Sequence, residues 1–300
     1  MALTRLIPDA TMDILLQQLV NSLSVASVII LIGVGITLIF GLTGIINFAH
    51  GELLMIGGIT TWLLVSHGSS FLLALLAAVA VVGLLGFILE RSLFRFTLER
   101  PMNGFIISLG LIVVLQHVVV RMWNSYQKSI PSPIDEVWQV GDIRIVVMRA
   151  VVVVVTAVVV AVTFFGISRS RYGLALRASV ADQETAALMG IPVRRYVTGV
   201  FIYGSMLAGL GGALMIALFP ITPFIGSTIV VRGFAVALIG GLGNVSGAVV
   251  AGIILGLVDG LSKGYGLPEW TDAYSFALMI LILLIRPQGL LGGTAGPRAV

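Results

Sequence analysis

Residues 41–58 read Gly41-Leu-Thr-Gly-Ile-Ile-Asn-Phe-Ala-His-Gly-Glu-Leu-Leu-Met-Ile-Gly-Gly58, and apolar sequence continues on both sides of them. Asn47, His50 and Glu52 stand among closely spaced glycines within a stretch that is otherwise suited to lipid. A polar group at membrane depth is expensive unless it is paired or hydrated, so such groups mark function or a broken helix. Glycines just ahead of Glu52 loosen the helix, and a discontinuous segment there frees backbone groups and a helix N-terminus to line a solute path. The same pattern also suits Glu52 as a first-turn acid of the next helix, with Asn47 and His50 satisfying local backbone groups.

Working outward, the chain of 300 residues is 58% hydrophobic and only 10% charged, with a mean hydropathy of +1.13. A water-soluble domain does not have that balance. Apolar runs cover residues 14–40, 41–65, 71–89, 105–120, 151–167, 197–219, 229–242, 245–261 and 274–285. They predict an all-α integral membrane protein, a polytopic bundle of about eight to ten membrane segments with discontinuous helices. The Val-rich run 151–167 would suit a buried strand in water, but its length and setting favour a membrane helix. The N-terminal run has no plausible cleavage site after it and is expected to remain as a span. No stretch is long enough for a separate soluble domain, so residues 1–300 are expected to form one membrane domain.

Fifteen of the seventeen basic residues are Arg, and the net charge is +4. These residues concentrate in two connections: Arg91, Arg95 and Arg100 in one, then Arg169, Arg171, Arg177, Arg194 and Arg195 in the other. The positive-inside rule makes both cytoplasmic and accounts for the charge without nucleic acid. Two spans separate the connections, so parity agrees. The polar stretch 124–144 then falls outside, as does the N-terminus, and the C-terminus is cytoplasmic. Run 229–242 is short and reads as a re-entrant or broken helix. The stretch Gly240-Gly-Leu-Gly-Asn-Val-Ser-Gly-Ala-Val-Val-Ala-Gly252 echoes the first break, including its Asn244.

Small residues at four-residue spacing, Ala248, Gly252, Gly256 and Gly260, with Ser205/Gly209 and Ala208/Gly212, permit close helix packing within the chain or against another subunit. Gln116, His117, Arg121, Arg232 and Asp259 fall near span ends, where snorkelling or local pairing is expected. His50, His67 and His117 show no metal-ligand spacing. There is no cysteine, no nucleophile elbow and no Walker A sequence, so no cofactor, catalytic group or nucleotide site is assigned. The loop 168–196 is long for a helix connection. Ser179 with Asp182 reads as a capping box, residues 181–189 as a short helix, and Gly190 with Pro192 as its stop. Such a helix on the cytoplasmic face suits docking to a soluble partner.

With these stretches in view, the sequence resembles the inner-membrane permeases of branched-chain amino-acid ABC importers, of the LivH type. The resemblance covers almost the whole chain. It is carried by residues 44–52, by Tyr172-Gly-Leu-Ala-Leu-Arg-Ala through Ala187-Leu-Met-Gly-Ile191, by residues 240–247, and by Arg286-Pro-Gln-Gly289. It implies a bacterial inner-membrane permease paired with a second related permease, two cytoplasmic ATPase subunits and an external solute-binding protein, working by alternating access. It further implies that Arg177, Asp182, Glu184, Ala187 and Gly190 belong to an ATPase-coupling segment. Asn47, His50, Glu52 and Asn244 would belong to the translocation region. Leucine, isoleucine and valine are the first substrates it suggests, and urea or short amides the alternative.

Two other function classes stand beside the importer. A self-sufficient channel or secondary carrier would use His50, Glu52 and Asp259 as ion or proton groups. An intramembrane enzyme would need His50 and Glu52 as base and acid, but their spacing puts them on different faces of a regular helix.

Overall fold

The computed structural model describes residues 6–140, 143–265 and 268–292. Helix α1 (Leu6–Thr43) is followed by a six-residue break and α2 (His50–Ser66), then α3 (Phe71–Ser92), a 3-10 turn (Phe94–Thr97) and α4 (Pro101–Trp123). A short antiparallel hairpin, β1 (Val137–Val140) with β2 (Ile143–Val146), leads into α5 (Val147–Arg169). Then come α6 (Arg171–Ala181), α7 (Gln183–Leu188), α8 (Val193–Ile216), α9 (Ile225–Gly240), α10 (Val245–Tyr265), a 3-10 turn (Pro268–Trp270) and α11 (Thr271–Ile285).

Among the described residues, six helices are long and apolar enough to cross a membrane: α1 from Gln17 onward, α3, α4, α5, α8 and α10. α9 and α11 are shorter apolar helices. α2 is also short, and ten of its seventeen residues are buried inside the bundle. In a bilayer the backbone must satisfy itself within each segment, which is why even the Val-rich run 151–167 is helical here, inside α5.

α1 and α8 form the buried axis, with 78% and 72% of their most apolar windows covered, whereas α4 is covered over only 11%. The small-residue faces explain how the axis is built. On α10, a Cβ at Gly252, Gly256 or Gly260 would meet Ile30, Ala26 or Ser22 of α1 in turn. On α8, Ser205 fits against Gly86 of α3, and Gly209 fits between Gly57 of α2 and Ala78 and Val82 of α3. These faces therefore pack within the chain. Without a hydrophobic drive in lipid, close backbone approach of this kind supplies much of the helix association.

The two Arg-rich connections share one side of the molecule. Arg95 and Glu99 from the first line a cleft of about 1300 Å³ together with Gln183, Glu184, Arg194 and Arg195 from the second. The opposite side is built from the hairpin and its neighbours. The Arg144 main chain exchanges two hydrogen bonds with the Gln17 side chain, Lys128 bridges Ile221, and the Lys128 ammonium lies 4.6 Å from the Trp62 ring centroid.

Candidate functional site

The break after α1 is built by local chemistry. Thr43 turns its hydroxyl back to the Ile39 carbonyl (2.7 Å) and accepts the Ile45 amide (3.1 Å). Gly44 then takes φ +68°, a left-handed residue that ends a helix at low steric cost. The chain re-enters the bundle, and the Phe48 amide donates to Ser108 Oγ of α4 (3.1 Å). α2 starts at His50 with Glu52 in its first turn.

Asn47, His50 and Glu52 are all buried, the latter two completely. Asn47 Oδ1, both His50 ring nitrogens and Glu52 Oε2 have no hydrogen-bond partner among the described residues. Buried polar atoms are seldom left so, and four in one short stretch is a concentration that calls for a role. His50 and Glu52 face opposite ways. The His50 ring abuts Gly35 of α1, and Ile36, Ile39 and Ile45 join Asn47 and His50 around a narrow crevice. The Glu52 carboxylate instead lies against Gly226, the second residue of α9, and accepts 2.8 Å from Gln116 Nε2 of α4. The pair cannot act as one acid and base.

α9 supplies the second interior helix start. The sequence pattern puts the matching break at residues 240–252, whereas the structure makes 241–244 a tight turn that leads straight into α10. Gly241 and Gly243 take φ +98° and +86°, and Asn244 caps α10, with Oδ1 accepting the Gly247 amide at 2.9 Å. The break that faces α2 lies earlier, ahead of Ile225, where Gly51 of α2 meets the Gly226 carbonyl. Glycines at 240–247 serve tight turns as readily as unwound segments, and the sequence does not separate the two. Asn244 is thus not brought to the interior with Asn47, His50 and Glu52. Its amide donates to the Leu291 carbonyl (2.6 Å) beside Gly41, which packs on Gly243.

The loop 168–196 holds two helices where the sequence suggests one. Ser170 caps α6, accepting the Gly173 amide at 2.9 Å, and Ser179 lies inside α6 with its hydroxyl turned to the Ala175 carbonyl. The expected capping box at Ser179 is therefore not formed, because α6 already runs through that position. Asp182 is the cap of α7: its carboxylate accepts the Glu184 and Thr185 amides (2.9 and 3.0 Å) and the Thr185 hydroxyl. Gly190, at φ +82°, ends the segment as expected. Glu184, Ala187 and Gly190 are exposed, as are Leu188 and Met189. Arg177 is also exposed and makes a long 3.5 Å contact with the Ser168 carbonyl. Tyr172 stacks on Tyr196 at 4.7 Å, and burial, then its neighbour, raises the Tyr172 phenol above its usual range.

Two side chains that organise this site, Ser108 and Gln183, escape sequence reading, and a third, Gln116, is read from the sequence only as a locally paired residue near a span end. Gln116 lies about two turns inside α4 and not at its end. Ser108 holds the break, and Gln183 donates to the carbonyl of Leu42 in the last turn of α1. A lone amide in an apolar run is the one available signal, and it names no partner. Farther out, Arg232 of α9 pairs with buried Asp259 of α10 (3.2 Å) and with Asp272 of α11 (2.5 Å), and Lys263 pairs with Asp259 at 2.7 Å.

A bundle with two interior helix starts, buried polar groups and an exposed helical loop is the build of a membrane permease. The chain belongs to the family of permease components of branched-chain amino acid transport systems, whose model matches residues 18–283. It is 35% identical to the high-affinity branched-chain amino acid transport system permease protein LivH of Escherichia coli K12, over 92% of this chain and 95% of that protein. It is 33% identical to the corresponding BraD protein of Pseudomonas aeruginosa over the same shares. A probable branched-chain amino acid transport permease of Methanocaldococcus jannaschii is 26% identical over 89% of each chain. No solved structure matches.

Proposed function

We propose that this chain is the transmembrane permease of an importer that moves leucine, isoleucine and valine across a bacterial inner membrane by alternating access. It works with a second related permease, two cytoplasmic ATPase subunits and an external solute-binding protein. ATP is hydrolysed by the separate subunits. Residues 1–300 act as one permease domain, with the N-terminus outside and the C-terminus and the loop 168–196 in the cytoplasm. The substrate reading is supported by the names that the relatives carry and by family membership.

The observation that carries the mechanism is the pairing of a buried polar break with an exposed docking helix. Asn47, His50 and Glu52 lie at interior helix starts where backbone dipoles and unpaired acceptors concentrate. Asn244 belongs at the cytoplasmic end of that region. Arg177, Asp182, Glu184, Ala187 and Gly190 form the ATPase-coupling surface. Its exposed apolar tip, Leu188 and Met189 beside Glu184, has the mix of anchors and charge that a soluble partner's groove takes up.

The test is uptake of radiolabelled leucine into proteoliposomes with and without the second permease, ATPases and binding protein. Uptake that needs ATP and every partner supports the proposal. Uptake by this chain alone makes it a carrier, and ATP-driven uptake of urea in place of leucine keeps the mechanism and changes the substrate.

A further inference from the structure

The hydrogen bond between α7 and the end of α1 joins two regions that the importer reading treats as separate. Leu42 is in the last turn of α1, where main-chain carbonyls lack a helical partner. Gln183, the first residue of α7, donates its amide to that carbonyl. One residue beyond Thr43 stands Gly44 at φ +68°, and the break then runs directly to His50 and Glu52. We propose that Gln183 is a positioning residue, a tie by which displacement of α7 moves the last turn of α1 and rotates the break about Gly44. The proposal rests on the importer reading.

Three features suit this role. The first turn of α7 is fastened by Asp182 through three hydrogen bonds, which ties Gln183 to the rest of the helix. Its outer face, with Leu188 84% and Met189 78% exposed, is free for a partner, while Ala186 is buried against the protein. The break it pulls on is held on its other side by a different element, since Phe48 donates to Ser108 of α4. Tension at Leu42 therefore falls on the residues between a tethered point and a fixed one, where glycine offers the least torsional resistance. A two-state element biased from a distant contact is the physical content of coupling.

The experiment uses the full reconstituted complex with Gln183→Ala, Gln183→Glu and Gln183→Lys. Glu keeps the size and helical character but has no amide donor, whereas Lys supplies a donor to the same carbonyl. Leucine uptake per ATP hydrolysed is expected to fall roughly fivefold to tenfold in the Ala and Glu variants, with ATPase binding and hydrolysis retained, and to recover in the Lys variant. A second readout places Ile46→Cys in the break. Ile46 is 39% exposed and the chain has no natural cysteine, so maleimide label on this chain, separated from the other subunits by electrophoresis, reports this position alone. Its labelling rate should change between nucleotide-free and ATP-trapped complexes, and that change should vanish with Gln183→Ala.

Normal uptake per ATP and a preserved labelling change in Gln183→Ala would overturn the proposal. Equal loss in all three variants would also overturn it, since the donor would then not matter. If the unaltered complex takes up no leucine, the importer reading fails separately, and the labelling arm still reports whether Gln183 relays ATPase binding to the break.

Discussion

Glu52 of α2 and Gln116 of α4 meet at 2.8 Å across the bundle, the Gln116 amide donating to one oxygen of a completely buried carboxylate. With so little of α4 covered by the rest of the chain, this bond and the Phe48–Ser108 bond add two polar anchors to its few apolar contacts with α2 and the break. Gln116→Leu removes the donor and leaves both carboxylate oxygens unpaired, a change that costs about 1–3 kcal/mol. The expected result is a lower melting temperature in detergent and reduced uptake, with Glu52→Gln less damaging than Gln116→Leu because an amide can still pair with Gln116.

Asp259 and Asp272 both pair with Arg232, but their exposures are 2% and 56%. Removing the buried partner takes one carboxylate from Arg232, 18% exposed and still held by Asp272, and from Lys263, 47% exposed, whereas the rim pair is screened by solvent. Asp259→Asn should therefore destabilise by about 1–3 kcal/mol and Asp272→Asn by under about 1 kcal/mol. Thermal unfolding of the two variants side by side checks the order.

Gly212 of α8 is pressed against α2, so that a Cβ would enter the Leu54 carbonyl, whereas Gly110 of α4 has nothing within 4 Å of its Cβ position. Gly212→Val should cost about 1–3 kcal/mol or more through forced separation of the helices. Gly110→Ala should be neutral or stabilising by up to about 1 kcal/mol. Equal melting temperatures would show that backbone contact does not hold α2 on α8.

Glu184→Lys reverses charge on the exposed face of α7 and removes an acid from its first turn. It should abolish ATP-driven uptake while the membrane subunits still assemble. Asp182→Ala, which loses the α7 cap, should weaken the segment by about 1 kcal/mol and lower uptake only partly. Co-purification of the ATPase with each variant separates lost contact from lost helix.

Much of this architecture is legible in the sequence because the solvent imposes it. Lipid demands apolar helices of fixed length, so the run at 151–167 is a helix despite its valines, and the Arg clusters at 91–100 and 169–195 share one side. Gly44 and Gly190 act locally and are legible for that reason. Contacts between distant segments are not. Ser179 has capping chemistry, but the helix that Ser170 starts runs past it. The glycines at 240–247 read as a second break, while the interior helix start lies at Ile225, where the cue is only an ordinary loop. Gln183 and Leu42 are 141 residues apart, and no local pattern in either names the other.

Gly289, at φ +82°, turns the chain after α11 back onto the end of α9. The Leu290 and Leu291 amides donate to the carbonyls of Ile239 and Gly240, and the Leu291 carbonyl receives Asn244. The end of α9 thus borrows its last hydrogen bonds from residues that leave the ribosome only after α10 and α11 have been made. During synthesis the Ile239 and Gly240 carbonyls at the end of α9 stay without these partners until Leu291 has left the ribosome.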